Sequence, residues 1–267
     1  MKIAIATIFY NSNKELFRLL ESIPPNVVDY FIGVDGIFKF TKEAYPDMPD
    51  LSASIDRLGL MLYAGDIKKC ITILVDKPNS TEFEKRNAYL EECEQLQDVD
   101  ALLIIDSDEF FTYEPGTKPE DSWNTFKNNL ELAIKKTAGE HNVFGIRTYD
   151  PITKVDSYCA RVWYKPHEMR YTNGSHYHYA NIIREKDTIE QFRNNKINYQ
   201  QQAHCIIKGL TLGHDHSLRT KEYLDQRSVY QRYLVRYEEL VQSYRFDHDT
   251  CHEMAKQNPK NDFDPTK

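Results

Sequence analysis

An apolar run that ends in a cluster of acids is the strongest constraint in this sequence. Residues 101 to 105 are all apolar, and Asp106, Asp108 and Glu109 follow within four positions. Five residues are enough for a buried strand and too few for a helix. Carboxylates at the end of such a strand cost free energy unless a cation or a ligand compensates them. The run therefore predicts a buried strand that leads directly into a polar site.

The first third of the chain alternates strand patterns with helical patterns. Strand patterns cover Lys2 to Phe9, Val27 to Val34 and Lys69 to Val75, and Glu15 to Ile23 has helical spacing. A second helix follows Thr81, where the spacing of a capping box occurs. Strand, helix and strand in this order build a parallel sheet. The pattern predicts an α/β fold, whose ligands bind at the carboxyl ends of the strands.

The second half adds further elements, and one early segment stays undefined. We expect a helix at Trp123 to Lys136, strands at Asn142 to Thr148, Ser157 to Tyr164, Met169 to Tyr171, His176 to Ile183 and Ala203 to Leu212, a hairpin turn at Asn173-Gly174, and a long helix at Thr220 to Tyr244. Between Phe40 and Leu60 only a loop with two prolines is indicated.

Composition disfavours some classes of protein. The net charge of −7 disfavours a surface that coats nucleic acid. We expect no secretory signal, because the first residues enter a strand pattern, and no apolar run approaches the roughly 20 residues needed to span a bilayer. The five cysteines are scattered along the sequence without paired spacing: Cys70, Cys93, Cys159, Cys205 and Cys251. Reduced thiols and a cytoplasmic location are the expectation.

The acidic cluster has the chemistry of a metal site. On an extended backbone Asp106 and Asp108 would share one face, and paired carboxylates suit Mg²⁺ or Mn²⁺ that carries a phosphate. His214-Asp215-His216 follows another strand pattern and offers a third ligand, with imidazole favouring Mn²⁺. These residues indicate a metal-dependent enzyme that acts on a nucleotide-linked substrate.

Several segments, in order, resemble the family-2 glycosyltransferases, which have the GT-A fold. They are Ile3 to Ile8 with Tyr10-Asn11, Phe31 to Gly36, Glu84 to Asn87, Ile104 to Glu109, Arg161 to Trp163, Met169 to Tyr171, Gly174 to His176, and Leu212 to His214 with Arg219, Tyr223, Arg227 and Tyr230. The resemblance covers roughly residues 1 to 235. The chain departs from the family at the single Asp before Gly36, at Tyr177, where one branch has Glu, and in the long connection from Phe38 to Leu60.

The resemblance implies a GT-A-like, mostly parallel sheet flanked by helices, with a strand and hairpin region and a long helix towards the C-terminus. It implies one catalytic domain over residues 1–245, with a donor half at 1–112 and an acceptor half at 113–245, followed by a polar tail at 246–267. The implied activity is metal-dependent transfer of a sugar from a UDP- or GDP-sugar to an acceptor that the sequence does not identify.

Roles follow by resemblance for residues that match the motifs. Metal ligands would be Asp108, Asp106 and His214. Donor-binding residues would be Thr7, Tyr10, Asn11, Asp35, Lys85, Arg86, Asp106 and Arg219. The base that takes the proton of the acceptor hydroxyl stays open, with Asp150, His176 and His178 as candidates.

Two other functions remain compatible with these residues. A haloacid-dehalogenase-like phosphatase also has Asp-x-Asp at a strand end, but at its first strand, whereas here three strands precede it. A module that binds a nucleotide sugar without turnover is the second alternative.

Overall fold

The structure is a computed structural model, and it describes residues 1–150, 154–172, 179–194 and 202–214 and the isolated positions 236, 240, 250, 253 and 254. Some predictions fall outside the described residues. These are the turn at 173–174, the helix at 220–244 apart from positions 236 and 240, and the candidate site residues His176, His178 and Arg219.

Strands and helices alternate along the described residues. The strands are β1 (Ile3–Phe9), β2 (Tyr30–Asp35), β3 (Ile71–Asp76), β4 (Ala101–Ile104), β5 (Glu109–Thr112), β6 (Val143–Tyr149), β7 (Asp156–Tyr164), β8 (Met169–Tyr171), β9 (Tyr179–Asn181) and β10 (Ile206–His214). The α-helices are α1 (Asn13–Glu21), α2 (Lys39–Ala44), α3 (Ser54–Leu62), α4 (Glu82–Leu96), α5 (Pro119–Lys136) and α6 (Lys186–Arg193). A π-helical turn at Tyr63–Ile67 continues α3, and a 3₁₀ turn lies at Pro166–Glu168.

Eight of these strands form one mixed sheet in the order β3-β2-β1-β4-β7-β6-β10-β5, and β8 pairs with β9 in a small second sheet. Strands β1 to β4 are parallel, and β10 is parallel to β6. β5 begins only a few residues after β4, yet it pairs with β10 at the far edge. The sheet must therefore curl, so that its far edge returns to the carboxyl end of β4. The predicted fold class, a mostly parallel α/β sheet of GT-A type, is confirmed.

Helices cover both faces of the sheet. On one face Leu16, Leu60 and Trp123, from α1, α3 and α5, belong to a single buried apolar cluster. On the other face Tyr89 of α4 packs with Trp163 and with aromatic residues of the small sheet. Burial of these side chains supplies most of the driving force for folding. Within the described part of the chain, every helix is too short or too polar to cross a bilayer.

Several predicted boundaries were wrong by up to one turn. Helix α5 begins at Pro119 rather than Trp123, because Pro119 fits the first turn and Glu120 and Asp121 complement the helix dipole. Strand β2 begins at Tyr30 rather than Val27. The segment predicted to be a loop contains most of α2 and most of α3, and β5 and α6 were not predicted. The capping box at Thr81 and Glu84 is confirmed.

Candidate active site

The acidic residues after β4 form a tight turn. The Glu109 amide donates to the Asp106 carbonyl over 3.0 Å, which closes the turn between β4 and β5. The extended backbone expected for Asp106 and Asp108 is therefore wrong. Because the chain reverses here, the two carboxylates point to different partners: Asp106 contacts arginines, and Asp108 contacts His214.

His214 meets Asp108 through the pairing of β10 with β5. His214 lies opposite Glu109 in the antiparallel register, at the carboxyl end of β10. Its Nε2 is 3.1 Å from Asp108 Oδ2. Asp108 is buried, whereas a third of the His214 side chain is exposed. The pair thus consists of a buried carboxylate oxygen and an imidazole nitrogen that solvent can reach.

Two arginines hold the Asp106 carboxylate. Arg86 Nη2 donates to Oδ1 over 3.0 Å, and Arg161 Nη2 donates to Oδ2 over 2.8 Å. Arg161 also donates to Glu109 Oε1 over 2.7 Å, and Glu109 Oε2 accepts the Asp106 amide over 2.8 Å. Arg86 is fixed in turn by Glu82, one turn earlier on α4, through a 2.7 Å bond. These bonds fix the side chains of Asp106 and Glu109, which flank the turn.

The charges of this network stabilise one another. Burial works against the charged form of Arg161, but Asp106 and Glu109 outweigh it and raise its pKa above the ordinary value. Burial likewise opposes the charge of Arg86, and Glu82 leads the groups that raise its pKa well above the ordinary value. For Glu109, burial is the largest influence and raises the pKa, against the opposing effect of Arg161. Both guanidiniums therefore stay charged at any working pH.

A metal ion would find two suitable ligands in contact with each other. Asp108 offers a carboxylate oxygen and His214 a ring nitrogen, a donor set that suits a borderline ion such as Mn²⁺. Both oxygens of Asp106 already accept from guanidiniums. Within the described ranges, no three His, Cys, Asp or Glu residues are arranged to hold a metal ion. The pair fits a metal, and the three-ligand set stays a prediction.

The segment between α2 and α3, residues 45–53, covers the end of β1 and is called the cover segment below. The Tyr10 hydroxyl donates to the Pro49 carbonyl, and the Asn11 amide donates to Ser52 Oγ over 2.9 Å. Tyr10 is buried, while Asn11 is exposed. Two predicted nucleoside contacts therefore lie against one segment of the same chain.

Asp35, the third predicted nucleoside contact, is fully buried under the cover segment. Its carboxylate accepts from the Ser52 amide over 3.0 Å and from the Ser52 hydroxyl over 2.7 Å. Arg57 Nε of α3 lies 3.2 Å away. Burial raises the pKa of Asp35 above its ordinary value despite these partners. In this arrangement Asp35 anchors the cover segment.

Lys85 is fully buried beside Asp35. Its ammonium group donates to the carbonyl of Gly36 and lies 4.6 Å from the centre of the Phe38 ring. Burial lowers its pKa to about 7, although Asp35 acts in the opposite direction. Gly36 has φ of 139°, and a Cβ there would meet the backbone of Lys77 at 2.7 Å. Lys85 thus supports the end of β2 and does not face solvent.

The remaining predicted residues lie at different depths in the sheet. Thr7 is buried within β1, opposite Gly33 of β2. Asp150 follows β6, and its amide donates to Val155 over 3.0 Å. Because Tyr149 is registered with Gly213, the next position, Asp150, comes beside His214 at the carboxyl edge of the sheet.

Sequence reasoning missed Arg161 and Glu109 as site residues. Arg161 belongs to a motif in the family resemblance, but no role was assigned to it. A weak signal was present, because Arg161 lies in a strand pattern directly before the apolar pair Val162-Trp163, and a buried arginine needs a partner. Its partner could not be predicted from the neighbouring sequence, because 52 positions separate Arg161 from Glu109.

Comparison with known proteins gives the following. No protein-family model and no curated protein sequence matches the chain. Among solved structures, the chain is similar to S. aureus TarS 1-349, with a TM-score of 0.44 at 10% identity over 99% of this chain and 94% of that chain. The TarS 1-349 complex with UDP-GlcNAc gives 0.42 at 11%, over 95% and 76%.

The complex of TarS 1-349 with UDP gives a TM-score of 0.37 at 17% identity, over 56% of this chain and only 36% of that chain. All three TM-scores are below 0.5.

Proposed function

We propose that the protein is a metal-dependent glycosyltransferase that moves a sugar from a nucleoside diphosphate sugar to an acceptor. The proposal rests on one observation: two groups of charged residues lie next to each other at the carboxyl edge of the sheet. The Asp108–His214 pair lies two residues from Asp106, which Arg86 and Arg161 hold. The sequence resemblance to family-2 glycosyltransferases supports the same reading.

The charge balance favours a metal-loaded nucleotide over a free one. The carboxylates of Glu82, Asp106, Asp108 and Glu109 outnumber the two guanidiniums by two. A divalent cation at Asp108 and His214 would bring this cluster close to neutrality. When bound, Mn²⁺ or Mg²⁺ would stabilise the negative charge that develops on the departing diphosphate.

The chain's own groups would orient the diphosphate. Arg86 and Arg161 are charged and already fixed by carboxylates, so little rotamer freedom is lost when a phosphate oxygen binds. Arg161 Nε is buried without a hydrogen-bond partner among the described residues, so its donors are not all satisfied. Arg219, also predicted for this role, stays a prediction.

The proposal for the catalytic base depends on the register between β6 and β10. Asp150 comes beside His214 at the sheet edge, which makes it the favoured candidate among the described residues for the base that takes the acceptor proton. His176 stays a prediction. The donor nucleotide, UDP or GDP, and the identity of the acceptor are not specified by these contacts.

The direct test is release of free nucleotide from a panel of UDP- and GDP-sugars, with Mn²⁺, with Mg²⁺ and with EDTA. Water serves as a slow acceptor, so release needs no known acceptor. Wild type should hydrolyse at least one donor only with metal, and Asp108→Asn should lose this activity. Asp156→Asn, at an exposed carboxylate of the β6–β7 hairpin, should retain it.

The same preparation separates the alternatives. Preference for p-nitrophenyl phosphate over every sugar donor would overturn the proposal in favour of a phosphatase. Calorimetric binding of a nucleotide sugar, without release from any donor, would overturn it in favour of a binding module. Equal activity of Asp108→Asn and wild type would remove the proposed metal site.

A further inference from the structure

Exposed apolar side chains are concentrated beside one edge of the sheet. Six lie within residues 55–71 and are called the apolar edge surface: Ile55 (75% exposed), Leu58 (52%), Met61 (42%), Leu62 (52%), Ile67 (52%) and Ile71 (59%). The same number of exposed large hydrophobic residues is spread over all other described residues. A monomer rarely exposes so many in one place without a function.

The helix α3 has two apolar faces. Its inner face places Leu60 and Ala64, the latter in the following π-helical turn, in the core. At 100° per residue, Leu58 and Leu62 lie on the opposite side of the helix. One apolar face is thus used within the fold, and the described part of the chain does not cover the other.

The strand β3, which follows this helix, is the edge strand of the sheet. The Ile71 amide donates to the Asp29 carbonyl, and the Lys77 amide donates to the Asp35 carbonyl. Both bonds are on the side of β3 that faces β2. Because backbone groups alternate along a strand, those of Thr72 and Leu74 point outward. Residues 71 to 75 carry no charge. An uncharged edge of this kind is a template for pairing with another strand.

We propose that a second copy of this chain docks on this surface, with β3 paired antiparallel to β3 of the other copy about a two-fold axis. In this two-fold arrangement each β3 strand pairs with an identical strand that runs in the opposite direction. The sequence of β3 must therefore be compatible with its own reversed sequence. The uncharged centre satisfies this.

The area available suits a dimer. Six side chains with the exposed fractions given above present on the order of 600 Å² of apolar surface, against the roughly 800 Å² that each partner buries in a standard interface. Two such surfaces would bury about 1,200 Å² in total, which is the lower end of the range for specific protein interfaces.

The charges on this surface favour a protein partner over a lipid surface. Helices that lie on anionic membranes carry an excess of Lys and Arg beside their apolar face. Residues 55–71 contain two acids, Asp56 and Asp66, and three bases, Arg57, Lys68 and Lys69. Arg57 is bound to Asp35 and Asp76, and Lys68 is buried. The apolar edge surface therefore carries no large excess of positive charge.

The test measures the mass of the purified full chain by light scattering and sedimentation over a wide range of concentration. Wild type should be a dimer. Leu58→Glu should weaken association at least tenfold, whereas Leu132→Glu, an equally exposed leucine on α5 (54%), should leave it unchanged. Circular dichroism establishes that each variant is folded.

A second variant tests the strand pairing itself. Thr72→Pro removes an outward amide without loss of a bond to β2, so it should block pairing at the edge and yield a folded monomer. A wild type that is monomeric at all concentrations would overturn the proposal. The proposal would also be overturned if Leu58→Glu dimerised like wild type. Co-sedimentation of a monomeric wild type with phosphatidylglycerol vesicles would overturn it in favour of a lipid surface.

Discussion

His214 Nε2 lies 3.1 Å from Asp108 Oδ2, although the two residues are 106 positions apart in the chain. The contact exists because the sheet curls and β5 pairs with β10. It places a carboxylate oxygen beside an imidazole nitrogen at the edge of the sheet where α/β folds bind their substrates.

The first prediction concerns metal affinity. His214→Ala should weaken Mn²⁺ binding at least tenfold, because the proposed nitrogen ligand is removed. Titration calorimetry of the nucleotide-free protein measures this. His167→Ala, at a histidine of the 3₁₀ turn, is the matched control. Unchanged Mn²⁺ affinity in His214→Ala would contradict the assignment.

The second prediction concerns the buried network. Arg161→Met should lower the free energy of unfolding by about 3–5 kcal/mol, because it leaves Asp106 and Glu109 without their shared cation. Arg147→Met breaks an exposed pair with Asp156 and should cost less than about 1 kcal/mol. Urea unfolding measures both values. Similar losses in the two variants would mean that the network does not stabilise the turn.

The third prediction concerns the cover segment. Ser52→Ala removes the hydroxyl that bonds to Asp35 and accepts from Asn11, at a cost of about 1–3 kcal/mol. Hydrogen exchange of the amides in residues 45–53 should accelerate. Ser80→Ala, which removes only a hydroxyl bond to the carbonyl of Pro78, should leave those amides unchanged. Equal exchange in both variants would show that Ser52 does not hold the segment.

The fourth prediction concerns pH. The folded-state pKa of Lys85 is about 7, below its ordinary value of 10.5, so between these values the unfolded chain binds the proton and the folded chain does not. Wild-type stability should therefore rise with pH across this window, by at most about 1.4 kcal/mol per pH unit. Lys85→Met should lack this contribution. Parallel stability curves for the two proteins from pH 7 to 10 would refute the assignment.

Local pattern was sufficient for most of the fold. The alternation around β1, the helical spacing of α1 and the capping box of α4 are set by neighbours within a few residues, so these elements could be predicted. The segment from Phe38 to Leu60 could not, because α2 and α3 are held by distant groups. Arg57 of α3, for example, is fixed by Asp35 and Asp76.

By itself the sequence determined which residues carry charge and where strands end, because both depend on composition and short-range spacing. It placed Asp106 and Asp108 at the end of a buried strand. Only the tertiary structure decided that Asp106 binds two arginines while Asp108 meets His214. The reason is physical: a curled sheet brings together residues from β4, β7 and β10, and no local spacing records that closure.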